Sequence, residues 1–206
     1  ADYEASLPYE AAPDEIAETA ARLQKEFARS GVRLLAVRGR AVFPEQFNQL
    51  MDEYGNKSDA LSAVTLELLS EAMVPLAGGR VSVICDKHGG RNHYASLLQH
   101  YFPEWLVRVE REGRDESRYA FGPDETRATI CFRCKGEKWA PTALASMTAK
   151  YLRELAMRAF NDYWGRHMPE LRPTAGYSRD AHRFRRDIAE LQTSLGIEDR
   201  VLWRSR

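Results

Sequence analysis

Apolar and polar positions along this chain alternate between a helical period and a strand period. Ile16, Ala20, Leu23 and Phe27 recur at three- and four-residue spacing behind Pro13-Asp14, which predicts an amphipathic helix ending near Gly31. Val32 to Val42 reads as a strand bulged at Gly39. Pro44 opens a second helix through Phe47, Leu50 and Met51, and Gly55 stops it. A third helix, capped by Ser58 or Asp59, carries Leu61, Val64, Leu68, Leu69 and Met73 on its stripe and ends at Pro75 and Gly78-Gly79. Val81 to Asp86 is nearly all apolar, so it is expected to be a strand buried on both faces and central in its sheet.

Beyond it, Asn92 to Phe102 reads as a helix and Trp105 to Val109 as a strand. Ser117–Phe121 and Thr126–Arg133 flank Gly122-Pro123-Asp124 as a hairpin. The segment Ile130–Trp164 combines the end of that hairpin, a tight turn at Lys135-Gly136-Glu137, and a long helix entered through Pro141. Leu144, Met147, Tyr151, Leu152, Leu155 and Ala159 form its apolar stripe. A linker from Pro169 to Thr174 and the tripeptide Ala175-Gly176-Tyr177 lead to a last helix. That helix starts at Ser178 or Asp180, reaches Leu195, and turns Phe184, Ile188 and Leu191 inward. Strands interleaved with helices make the fold class α/β.

Length and composition make this one domain. With 206 residues and 44% hydrophobic content, the chain can bury a full core. It divides into a lead-in and first helix (1–30), a body of sheet and helices (31–168) and a helical C-terminal segment (169–206). Thirty Lys/Arg balance thirty Asp/Glu, so net charge alone argues for no polyanion partner. Its distribution is uneven: residues 1–29 hold seven acids against three bases, and residues 150–186 hold nine Lys/Arg against four acids. The basic C-terminal third suits either phosphates or a solvated helical face. No apolar run is long enough to span a membrane and no signal-peptide pattern is present. Three cysteines suggest a reducing, cytoplasmic setting; Cys131 and Cys134 lack a second Cys/His pair and read as reduced thiols of or near the core.

Two carboxylates stand where predicted strands end. Asp86 closes an apolar strand ahead of Lys87-His88-Gly89-Gly90, and a lone carboxylate desolvated there would need a cation or hydrogen bonds; a helix cap is the plainer alternative. Glu137 sits beside a glycine, as a turn residue or as a metal ligand in a crevice at strand ends. His88, His93 and His100 are spaced poorly for a metal and read as solvated. Asp115 and Glu116 read as a charged turn, and remain reserve ligands. Trp139, Trp164 and Trp203 read as core or interface aromatics, whereas Tyr177, between a glycine and a basic helix, is equally suited to stacking.

Three segments in this order resemble the ribonuclease HII branch of the ribonuclease H superfamily. KGEKWAPTALASMTAKYLRELAM (135–157) is similar to that family's acidic turn, its A-S-x-x-A-K core and the R-D/E pair behind it. AGYSRDAHRF (175–184) is similar to the family's K-G-Y with a histidine on the next helix. VSVICDKHGG (81–90) stands where the family has a strand ending in a metal-binding aspartate. Phe47-Asn48 and the closing Trp203-Arg204-Ser205 also match in order, so the resemblance spans roughly residues 30–206. It implies a ribonuclease H-like mixed sheet with flanking helices and a helical C-terminal extension.

By that resemblance Asp86 and Glu137 are catalytic metal ligands for Mg²⁺ or Mn²⁺, and Tyr177 stacks on a sugar near the cleaved phosphate. Lys150, Arg153 and His182 lie on or near helices that bind the hybrid, and Lys87 contacts substrate beside Asp86. The implied activity is hydrolysis of the RNA strand of RNA–DNA hybrids, with carboxylates supplying oxygen ligands to hard cations. The sequence departs from the family in several places, among them a shorter spacing from Glu137 to Ala145-Ser146 and a segment 91–128 longer than in compact members. The family's opening strand with Asp-Glu and a Gly-rich tripeptide has no counterpart before Val32, and Glu137 replaces the usual Asp. With Ala1 in place of an initiating methionine, the expectation is a C-terminal part of a longer enzyme, weak or inactive by itself. A non-catalytic nucleic-acid-binding module and a protein-docking module of the same fold are the alternatives.

Overall fold

A computed structural model describes residues 11–73 and 78–205. The irregular start expected over residues 1–12 therefore lies mostly outside the described residues, as does the Pro75 helix stop. The chain is a mixed α/β structure. Its elements are α1 (Pro13–Arg29), α2 (Pro44–Tyr54), α3 (Lys57–Met73), β1 (Val81–Asp86), α4 (Ala95–Tyr101), β2 (Arg108–Arg111), β3 (Glu116–Phe121), β4 (Ala128–Arg133), α5 (Ala140–His167), α6 (Ser178–Ser194) and α7 (Asp199–Leu202). Single 3₁₀ turns occupy Asp124–Thr126 and Gly136–Lys138.

The four strands form one mixed sheet in the order β1-β4-β3-β2. β4 runs parallel to β1, with Val81 opposite Ala128 and Asp86 opposite Arg133, and antiparallel to β3. Register sorts side chains by parity. Val81, Val83 and Cys85 of β1 align with Ala128, Ile130 and Phe132 of β4, and these with Phe121, Tyr119 and Ser117 of β3. This set meets Leu66 and Leu69 of α3 and Leu98 of α4, closed by Tyr94 and Phe102. Tyr94 stacks on Phe132 at a centroid distance of 3.7 Å, and Phe102 on Phe121 at 4.7 Å.

A second cluster lies in the C-terminal third. Trp164 of α5 meets Phe184 and Ile188 of α6, with Phe160, Leu171, Ile197 and Trp203 around them. Asn48 ties α2 to the end of the chain: its side-chain amide donates to the carbonyls of Arg200 (2.9 Å) and Trp203 (2.8 Å) and accepts from the Ser205 amide (2.6 Å). Buried Asn48 thus gives Phe47-Asn48 a structural role, because a buried amide needs this set of partners.

Several expectations are corrected. Val32–Val42 is not a strand: it runs as an irregular strap, with Arg38 donating to the Glu71 carbonyl (3.1 Å), Arg40 pairing with Glu67 and Glu71 on α3, and Gly39 against Leu152 of α5. A strand needs a hydrogen-bonding neighbour, and none lies beside this segment among the described residues, so Val32, Leu34, Leu35 and Val37 remain exposed. β1 is an edge strand there rather than a central one, for β4 alone pairs with it. The strand expected at Trp105–Val109 forms at Arg108–Arg111 instead, because the Gln99 side chain takes the Val107 amide (3.1 Å) and gives to the Trp105 carbonyl (2.9 Å). The helix read from Asn92 is confined to Ala95–Tyr101. The stripe on α1 has no buried member, and on α5 Leu144, Met147, Tyr151 and Leu152 are exposed, so packing of that helix concentrates towards Trp164.

Candidate functional site

The site begins where β1 and β4 end side by side. Parallel pairing brings Asp86 level with Arg133, so the turn that leaves β4 passes directly over Asp86. Asp86 Oδ1 accepts a hydrogen bond from the Gly136 amide at 3.1 Å, which draws the aspartate and the turn carrying Glu137 together. Gly136 is buried, and a Cβ there would lie 3.0 Å from Thr142 Cγ2 and 3.3 Å from Asp86 Oδ1, so glycine is what lets the turn come this close. Lys135 precedes it with φ 59° and ψ 47°, the only non-glycine residue with positive φ among those described. Such a left-handed lysine costs about 1 kcal/mol and is held by its surroundings, a feature common at functional turns.

Both carboxylates are exposed. Asp86 therefore carries no large desolvation cost, contrary to the expectation for a strand buried on both faces; the face of β1 that carries Ser82 and Asp86 is left open, both residues being exposed. Asp86 does not cap a helix: its bond goes to the turn after β4. No group of three His, Cys, Asp or Glu side chains converges on a metal-sized point among the described residues. The donor chemistry still fits a hard cation in part, since Mg²⁺ is commonly held by one or two carboxylates with waters and substrate phosphates completing its octahedron. Asp86 and Glu137 are the residues that would hold it, Asp86 through the oxygen not bonded to Gly136.

The loop after Asp86 is built rigidly. Lys87, expected at the substrate, turns inward: its ammonium donates to Asn92 Oδ1 (2.8 Å), Ser117 Oγ (3.1 Å), the Arg91 carbonyl (3.3 Å) and the Gly113 carbonyl. Four acceptors exceed the three N–H groups of an ammonium, so this lysine closes the loop. His88 is buried and not solvated as expected. Its Nδ1 lies 2.9 Å from Ser62 Oγ, its amide donates to the Tyr94 hydroxyl (3.0 Å), and its ring meets Tyr94 and Phe132 edge-on. Burial, with Arg91 nearby, pushes its pKa down to about 4, which keeps the imidazole neutral. Glu116 is no turn residue either: it opens β3, buried, between Arg118 (2.9 Å) and Arg133 (2.6 Å). Arg133 also lies over the ring of Trp139, which is exposed and not a core aromatic.

A second construction lies along α5. Arg153, Met157 and Asn161 follow one another at four-residue spacing and together hold the linker before α6. The Asn161 amide brackets Thr174, donating to its carbonyl and accepting from its amide, both at 2.9 Å. Gly176 has φ +73° and presses on Met157 and Arg153. From α6, Asp180 accepts from Thr174 Oγ1 (2.6 Å) and the Ala175 amide (2.8 Å), while Arg183 donates to the Arg172 (3.1 Å) and Pro173 (2.9 Å) carbonyls. The bond from Thr174 first, then those that Arg183 gives to Asp180 Oδ1 and that from the Ala175 amide, hold the Asp180 carboxyl down at about 2. Tyr177 emerges from this frame 67% exposed, with the Arg153 guanidinium 4.8 Å from its ring centre. Lys150, one turn before Arg153 on α5, and His182 on α6 are both exposed.

The structure thus joins Asp86 to the Glu137 turn and Arg153 to Tyr177, and takes Lys87 away from solvent. The roles of buried His88 and Thr174 and of half-buried Asn161 had no signal in the sequence, because each depends on a partner far along the chain. The basic charge of residues 150–186 was legible beforehand, but not that Arg183 is committed to Asp180 (2.8 Å) and Asp187 (2.8 Å). Compared with models of known protein families, with curated proteins and with solved structures, the chain matches none.

Proposed function

We propose that this chain carries part of a metal-dependent phosphodiester hydrolase acting on the RNA strand of RNA–DNA hybrids. One observation supports it most: an exposed aspartate at a strand end is hydrogen-bonded to the turn that bears a second exposed carboxylate, at 3.1 Å. Two exposed carboxylates, one at the end of β1 and one on the turn after β4, both without salt-bridge partners among the described residues, are suited to a divalent cation and a phosphate. When bound, Mg²⁺ or Mn²⁺ would activate water and stabilise the leaving oxygen. Gly136 orients one Asp86 oxygen, leaving the other for the ion, and the rigid loop behind Asp86 limits its drift. Tyr177 offers a ring for a sugar or base, and Lys150 and His182, exposed on α5 and α6, offer cationic groups for phosphates. The outer edge of β1 next to Asp86 is open among the described residues, and a strand added there could bring further carboxylates to the same end of the sheet.

The test is cleavage of a labelled RNA–DNA hybrid in Mg²⁺ or Mn²⁺ by the full-length protein and by its Asp86→Asn variant. Loss of cleavage in the variant is expected; equal rates would remove Asp86 from the reaction. A second reading, a nucleic-acid-binding module without catalysis, rests on the exposed Tyr177 and on the basic charge of residues 150–186. It predicts hybrid affinity that falls with salt and ignores divalent metal.

A further inference from the structure

Arg153 lies in the basic third of the chain and would ordinarily be read as a phosphate contact, but its guanidinium is committed elsewhere. Nη1 is paired with Glu154 Oε1 at 2.7 Å, Nη2 donates to the Ala175 carbonyl, and the guanidinium carbon lies over the Tyr177 ring, 4.8 Å from its centre. Both terminal nitrogens and the cationic centre thus have partners within the fold. Arginine suits this position because its fixed fork and flat, delocalised cation can satisfy all three at once, which a lysine ammonium cannot. The remaining supports converge on the same point: Met157 packs under Gly176, Asn161 brackets Thr174, and Asp180 holds the Ala175 amide. Two helices thus immobilise a tripeptide whose only large side chain is left 67% exposed. An exposed aromatic held this firmly has the design of a preorganised stacking surface.

We propose that Arg153 is a positioning residue that closes one face of Tyr177, so that a sugar or base of the bound strand stacks on the opposite face; this rests on the hybrid-binding reading above. Arg153 itself makes no phosphate contact. Rigid presentation lowers the ordering cost at binding, so loss of Arg153 acts through Tyr177.

The experiment measures affinity of the full-length protein for a fluorescent RNA–DNA hybrid across a salt series. The variants are Tyr177→Ala, Tyr177→Phe, Arg153→Met, Arg153→Lys and the Arg153→Met/Tyr177→Ala pair, each checked for an intact fold by circular dichroism. Tyr177→Ala is expected to weaken binding about tenfold and Tyr177→Phe to leave it near wild type, since the ring face is what stacks. Arg153→Met weakens binding several-fold without changing the slope of log K against log salt. The double variant binds no worse than Tyr177→Ala, and Arg153→Lys fails to restore affinity although it keeps the charge. A salt slope reduced by about 1 in Arg153→Met, losses that multiply in the double variant, or full rescue by lysine would overturn the inference and make Arg153 a phosphate ligand. No hybrid binding by the unmodified protein overturns the hybrid-binding reading itself.

Discussion

The carboxylate of Asp86 rests on the amide of Gly136 at 3.1 Å, across a sequence separation of fifty residues. That contact unites the end of β1 with the turn leaving β4, and Gly136 is the residue least able to change there. A Gly136→Ala methyl would meet Thr142 Cγ2 at 3.0 Å and Asp86 Oδ1 at 3.3 Å. The expected outcome is a loss of ~1 kcal/mol in stability by thermal or denaturant unfolding. If Asp86 holds an ion as proposed, affinity for Mn²⁺, measured by calorimetry, is expected to fall about tenfold as this carboxylate is displaced. Unchanged metal affinity would show that Asp86 does not bind the ion through this geometry.

Lys87 gives a prediction opposite to that for a surface lysine. Its ammonium serves four acceptors, so Lys87→Ala leaves Asn92, Ser117 and two carbonyls without their donor. The variant is expected to lose roughly 2–4 kcal/mol of stability, read as a lowered denaturant midpoint with an unchanged slope. A lysine whose only task was to touch phosphate would change hybrid affinity and leave the midpoint in place.

The three cysteines separate by reactivity. Burial pushes the Cys85 thiol up to about 12, with Cys131 and Asp86 adding to the effect, and burial also raises Cys131, whereas Cys134 is exposed. At pH 8, alkylation followed by mass spectrometry is expected to mark Cys134 first and to leave Cys85 untouched until the protein unfolds. Early labelling of Cys85 would contradict its placement beside Phe132 in the sheet.

Asp180 sets the pH response of the Tyr177 platform. Its folded pKa, about 2, lies below the ordinary 3.8, so the unfolded linker binds a proton more readily than the folded one. The stabilisation is complete above about pH 4 and is lost as pH falls through the folded value. Protection of the Ala175 amide from exchange, taken by NMR relative to an unstructured chain at the same pH, is expected to fall over that window, and Asp180→Asn is expected to lower it already at neutral pH. Protection that does not respond to either change would mean that Asp180 does not hold the linker.

Local pattern was sufficient for most helices and for the hairpin. The stripes of α2 and α6, the proline entries of α2 and α5 and the glycines at Gly55 and Gly122 carry their own instructions, because helix periodicity and turn chemistry act over a few residues. The stripes read for α3 and α5, by contrast, leave Leu61, Leu144, Met147, Tyr151 and Leu152 exposed and miss buried Leu66. The same holds for Asp86 at a strand end and for Tyr177 ahead of a basic helix. Pairing was decided elsewhere. Val32–Val42 has strand composition but no neighbour among the described residues, so it runs as a strap over α3 and α5; β1 has an apolar core sequence yet borders the sheet. Strand formation depends on what lies alongside, and no segment carries that information alone.

The sequence by itself determined which residue types were available: two carboxylates near strand ends, a glycine beside one of them, a tyrosine after a glycine, and a basic C-terminal third. Only the tertiary structure decided their use. It brought Asp86 to Gly136, covered Tyr177 with Arg153, drew Lys87 inward and buried His88 against Ser62. The contacts of Asp86, Tyr177 and His88 join residues 24 to 50 positions apart, set by parallel pairing of β1 with β4, by the crossing of α5 with the linker to α6 and by α3 lying against the loop after β1. Distances in space, and not spacing in sequence, select which polar groups are satisfied within the fold and which are left free to meet a ligand.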